Sequence, residues 1–156
     1  MSKLLNRAKV DIENAKHNLE RISHDDVHLD AGCFQVQQAI EKTIKFIVEI
    51  HGGNYVQNHD IRANINKLDE MNRPLPEDLK SVLRSKAAQL AAWEATTRYG
   101  EDFYSDAQEL TEMIALAEKT VEVAESLVQE LETIREGDEV FTLEEPSENK
   151  DDHDER

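Results

Sequence analysis

Four long stretches of this chain repeat their apolar residues at steps of three and four, and none alternates apolar with polar residues as a half-buried strand does. That pattern restricts the chain to packed helices. The first stretch places Leu4 or Leu5, Ala8, Ile12, Ala15, Leu19 and Ile22 on one stripe, with Ser2 available as a cap. The segment SHDDVHLDAG (23–32) breaks the rhythm. A second helix is predicted from about Asp30 to His51, with Phe34, Gln37, Ile40, Ile44 and Ile47 along one face. Gly52 and Gly53 follow as a C-terminal cap, because glycine enters the left-handed region without penalty.

A short helix is predicted to open at Asp60 as N-cap, with Ile61, Ile65 and Leu68 at helical spacing. NRPLP is a break, and Pro76 suits the first position of the next helix. That helix is predicted to reach about Thr97, carrying Leu79, Val82, Leu83, Ala87, Leu90 and Trp93. After RYGEDFY, Ser105 to Gln108 reads as a capping box opening the longest helix. Its stripe is Ala107, Leu110, Ile114, Ala117, Val121, Ala124, Val128 and Leu131, ending near Arg135. Four main helices and one short one, joined by moderate loops and showing no internal repeat, predict an all-α, up-and-down antiparallel bundle.

The chain has 156 residues and a formal net charge of -16. Its length suits one domain with a single real core. Residues 136–156 hold ten acids and two bases, a segment too charged to fold alone. The reading is therefore a helical domain over 1–135 and an acidic, disordered tail over 136–156, with Val140, Phe141 and Leu143 as its apolar exception. The first 135 residues are acidic as well, which argues against a broad electrostatic grip on nucleic acid; an RNA contact would need a small local basic cluster. The single cysteine, Cys33, excludes an internal disulfide. The N-terminus MSKLLNRAKVDIENAK is too interrupted by charge for a secretory signal, and no apolar run approaches the ~18 residues of a membrane helix. These features predict a cytoplasmic protein that does not enter a membrane.

An ordered set of residues carries a family likeness. It comprises Cys33-Phe34, Gln37-Gln38-Ala39, Glu41-Lys42, Lys45 and His51-Gly52, followed by His59-Asp60-Ile61, Leu68 and later Arg98-Tyr99-Gly100. The first helix adds Ala8, Asp11, Ala15 and Leu19. Over roughly residues 4–130 this set resembles HEPN domains, small helical modules that bind nucleotides or act as ribonucleases beside prokaryotic nucleotidyltransferases. The resemblance implies an up-and-down bundle, a homodimer and partnership with a minimal nucleotidyltransferase. It also implies, for ribonuclease members, an arginine followed after four to six residues by a histidine. Arg98 stands at a suitable place, but Tyr99 to Gln108 contains no histidine. Arg21 and His28 have the formal spacing, yet they fall between the first two helices rather than in the later ones.

Residue chemistry supplies candidate contacts. Lys42 and Lys45, three residues apart, share a helical face and with the loop residue His59 form a candidate nucleotide-phosphate site; the alternative is a solvated face balanced by Glu41 and Glu49. Arg98 offers a cation and Tyr99 a hydroxyl, although arginine before Gly100 also suits a helix C-terminus. Gln37 and Gln38 cannot both enter one core, so one is expected at a helix interface or a dimer seam. His24, Asp25, Asp26 and His28 are metal-ligand residue types without metal-site spacing and read as an acidic loop. Cys33 reads as a small core residue without a base to activate it, while Trp93, Phe103 and Tyr104 read as packing residues.

The resulting expectation is a non-catalytic nucleotide-binding or nucleotidyltransferase-partner module, without a metal or cofactor, contacting its ligand through Lys42, Lys45, His59, Arg98 and Tyr99. Two other readings stand beside it. One is a metal-independent ribonuclease acting as the toxin of a toxin–antitoxin pair; the other is an acidic interaction protein that binds a basic partner.

Overall fold

The computed structural model describes the backbone of residues 2–22, 26–99 and 105–144, and the side chains of these except 26, 96–99 and 138–144. Among the described residues five helices follow one another: α1 (Leu4–Glu20), α2 (Asp26–Ile50), α3 (Ile61–Glu70), α4 (Glu77–Tyr99) and α5 (Ala107–Glu144). No strand occurs among the described residues. The chain forms two compact units, Met1–Ala124 and Glu125–Arg156. The first holds α1 to α4 and the start of α5, and the second holds the rest of α5. The first is the antiparallel helical bundle that the periodicity predicts.

Helix α2 is its centre. A helix at the middle of a bundle buries more than one face, and Cys33, Val36, Ala39, Ile40, Ile44, Phe46, Ile47 and Val48 are all buried. It packs against α1, α3 and α4. Its contact with α1 is antiparallel: Asn18 near the end of α1 bonds His28 and Gln35, whereas Asp11 reaches Lys42. Helix α5 meets α2 where a Cβ on Gly32 would stand 2.7 Å from Leu110 Cδ2, so a bare backbone permits the approach. Leu83, Leu90 and Trp93 of α4 complete the core with Leu110, Met113 and Ala117 of α5.

The helix ends follow local chemistry, with departures from expectation. Helix α4 begins at Glu77, so Pro76 precedes it as the cap, its carbonyl accepting the Lys80 N–H at 2.9 Å. Helix α2 begins at Asp26 rather than Asp30. Its added turn is tied to α1 by a 2.8 Å hydrogen bond between His28 Nδ1 and Asn18 Oδ1, a tertiary bond that apolar spacing does not report. The α5 cap is Asp106, whose carboxylate accepts the Glu109 N–H at 2.8 Å. Ser105 instead accepts the Cys33 thiol at 3.7 Å. Helix α5 also runs past Arg135 to Glu144. A single interior glycine, Gly137, costs only about 1 kcal/mol against alanine, too little to stop a helix rich in strong formers. Val82 and Ala107, both placed on apolar stripes by periodicity, are exposed. Where α2 ends, the Gly52 N–H bonds the Glu49 carbonyl and the Gly53 N–H bonds that of Val48, the paired bonds of a Schellman cap, with Gly52 at φ 88. Asp60 caps α3 as expected, accepting the Arg62 N–H at 2.9 Å.

Candidate functional site

The residues that carry the sequence pattern on α2 form a ridge at four-residue steps: Gln37, Glu41 and Lys45. All three are buried. Gln37 Nε2 donates to Glu41 Oε1 at 2.8 Å, and Lys45 Nζ reaches Glu41 Oε2, also at 2.8 Å. Gln38, on the neighbouring face, donates to Gln37 Oε1 at 2.7 Å. Both glutamines therefore serve one network, and neither points to solvent alone. A buried charge persists only when its lone pairs and protons are matched, and this ridge matches them along a single helix.

Loop residues close the network from above. His59 Nδ1 lies 3.2 Å from Glu41 Oε1, so the ring's Nδ1–H donates to that carboxylate. Its Nε2 lies 3.8 Å from Glu94 Oε2 on α4, and its carbonyl accepts from Gln37 at 3.4 Å. The imidazole is half exposed between two buried carboxylates. Lys45 Nζ also sits 5.2 Å from the Tyr55 ring centroid, a cation–π contact. The loop is pinned a few residues on by buried Asn64, whose amide exchanges two hydrogen bonds with the Val56 backbone at 2.7 and 2.9 Å. Burial pushes the Glu41 carboxyl up, but hydrogen bonds from Lys45, Gln37 and His59 with the Lys45 charge outweigh it, and its pKa ends below the ordinary value.

The sequence-derived candidates therefore separate. Lys45 and His59 meet through Glu41, where the lysine charge is already neutralised. Lys42 turns the other way, to Asp11 of α1 at 2.6 Å. Arg98 and Tyr99 close α4, Arg98 one turn after Glu94, and their side chains lie outside the described residues. Gly100, Phe103 and Tyr104 also lie outside them, as do the side chains of Val140, Phe141 and Leu143. In the proposed acidic loop, His24 and Asp25 are outside too, while His28 serves the α1–α2 bond. No group of metal-ligating residues assembles among the described residues. Burial pushes the Cys33 thiol up to about 12, so it stays protonated at neutral pH and offers no thiolate.

Lys42 leads to a second feature. A groove of about 350 Å³ is lined by Lys3, Asn6, Arg7, Val10, Asp11 and Lys42. Three cations face one carboxylate there, and among the described residues neither Lys3 nor Arg7 is paired with an acid. Val10 is 57% exposed and supplies an apolar patch beside them. Sequence reasoning passed over Lys3 and Arg7; their four-residue spacing at the start of α1 was the available signal. It also passed over Glu94, which has no signal beyond its place beside Trp93. A second cavity, of about 480 Å³ and lined by Ser2, Phe46, Glu49, Ile50, Gly52 and Gly53, contains an acid and, among the described residues, no cation.

Among the described residues no helix is long and apolar enough to cross a membrane. No curated protein and no solved structure matches the chain. A family model described as HEPN domain matches residues 1–127, which takes in all of α1 to α4, the α2 ridge, the His59 loop and the groove. On that match the chain belongs to the HEPN domain family.

Proposed function

We propose that this chain is a nucleotide-binding HEPN module that does not itself cut RNA, with its phosphate site in the α1–α2 groove. The observation that carries the reading is the convergence of Lys3, Arg7 and Lys42 on one groove of an otherwise acidic protein, two of the three without a carboxylate partner among the described residues. Arg7 would take phosphate oxygens through its planar fork, with Lys3 and Lys42 adding charge. Val10 would support the base, and Asp11 would accept from a ribose hydroxyl. The groove volume falls at the small end of ligand pockets, roughly 300–1,000 Å³, which suits a mononucleotide better than a polymer. The Glu41–Lys45–His59 network then holds the loop and the helix junction rather than the ligand. Members of the family often form dimers, and a minimal nucleotidyltransferase is the partner that would supply the chemistry this module lacks.

Titration of the protein with a fluorescent adenine nucleotide tests the reading, alongside the Arg7→Ala variant. Charge-assisted hydrogen bonds are worth about 1.5–3 kcal/mol, so Arg7→Ala is expected to weaken binding about ten- to a hundredfold while circular dichroism stays unchanged. Absence of binding at millimolar nucleotide, or equal affinity in the variant, removes the groove from consideration. RNA cleavage by the wild-type chain that disappears in Arg98→Ala overturns the non-catalytic reading in favour of a ribonuclease. Co-purification with a nucleotidyltransferase in the native host is the corresponding test of the partner.

A further inference from the structure

The second unit of the chain, from Glu125 onward, carries a feature that nucleotide binding leaves unused. In this part of α5, Leu127, Val128, Leu131 and Ile134 recur at steps of one, three and three residues, which gathers them on a single helical face. Leu127 and Val128 are half-buried, whereas Leu131 is 37% and Ile134 59% exposed. Isolated apolar residues on a surface need no explanation, but four on one helical stripe form a continuous strip of the kind that marks an interaction site.

The rims of the strip identify what would cover it. Helical register puts Glu130 along one edge and Glu132 along the other. Residues 125–144 contain seven acids and one base, Arg135. Two copies of this face packed together would set glutamates against glutamates along both seams, the arrangement that disfavours pairing in coiled coils. A partner helix with an apolar stripe and lysine or arginine on its edges meets the opposite sign at every one of these positions. We propose that the Leu127–Ile134 strip of α5 is a docking face for an amphipathic helix with basic flanks, contributed by another protein. The apolar anchors supply affinity, and the glutamate rims supply partner choice and register.

The probe is a synthetic fluorescent helix-forming peptide with leucine at heptad a and d positions and lysine at e and g, titrated into the full chain and followed by anisotropy. Its counterpart carries glutamate at e and g. The lysine peptide is expected to bind saturably and to lose at least tenfold in affinity with the double variant L131S/I134S; the glutamate peptide is expected not to bind. Should that variant lose helix content, the charge-reversal variant E130K/E132K replaces it, and its preference is expected to switch to the glutamate peptide. The proposal is overturned if the lysine peptide does not bind, or if L131S/I134S binds it equally well, since charge alone would then account for the attraction. It is likewise overturned if sedimentation shows a homodimer that L131S/I134S dissociates, since the occupant would then be a second copy of this chain.

Discussion

At the scale of single residues, Lys45 and Glu41 show how a charged pair comes to sit inside a bundle. Only 10% of the Lys45 side chain and 6% of that of Glu41 remain exposed. Removing one member of such a pair strands the other charge away from water, which typically costs about 3–5 kcal/mol. Lys45→Met is therefore expected to destabilise the protein by about that amount at neutral pH, measured by urea unfolding. Adding Glu41→Leu is expected to recover part of the loss. The loss also depends on pH. Glu41 is depressed in the fold, so its contribution is complete above the unfolded carboxylate value, about 4.3, and vanishes as pH falls through the lower folded value. In Lys45→Met the carboxyl protonates more readily, so the gap between variant and wild type should narrow as the solution is acidified. A gap that stays constant down to acid pH would show that the lysine acts through its packing and not through its charge.

At the scale of elements, the ends of the helices are set by a few backbone conformations. Gly52 sits at φ 88, and a Cβ placed there meets nothing within 4 Å. The demand is purely conformational. Gly52→Ala is expected to cost about 1–2 kcal/mol, the penalty for forcing an L-residue into the left-handed region, seen as a melting temperature several degrees lower. An unchanged melting temperature would mean that the α2–α3 turn re-forms in another shape. Asn72 does the same work after α3 at φ 59, where its N–H bonds the Asp69 carbonyl and the Arg73 N–H bonds that of Leu68. Such caps are visible in the sequence because they depend on residue type. The start of α2 is not, since it depends on a bond from His28 to a helix ten residues earlier in the chain.

At the scale of the whole molecule, charge decides what kind of ligand the groove can hold. A net charge of -16 repels a polyanion at long range, while Lys3, Arg7 and Lys42 attract a phosphate at short range. A nucleotide that neutralises two of these cations displaces few counterions. Its affinity is expected to fall by no more than about tenfold between 50 and 200 mM salt, measured in the same fluorescence titration. A much steeper loss would indicate many phosphate contacts, and hence an extended RNA rather than a mononucleotide.

The sequence by itself determined the helical class, the order of the five helices and most of their ends, because apolar periodicity and capping chemistry act within a few residues of where they are written. The family likeness was legible for the same reason, as residues in fixed order along α2 and the loop after it. Only the tertiary structure decided which charges face which. Lys42 and Lys45 stand three apart, yet one turns to Asp11 on α1 and the other to Glu41 beneath His59. Spacing along a helix fixes the direction of a side chain to within a turn. Its partner is fixed by the neighbouring helices, α1, α3 and α4, that pack against α2.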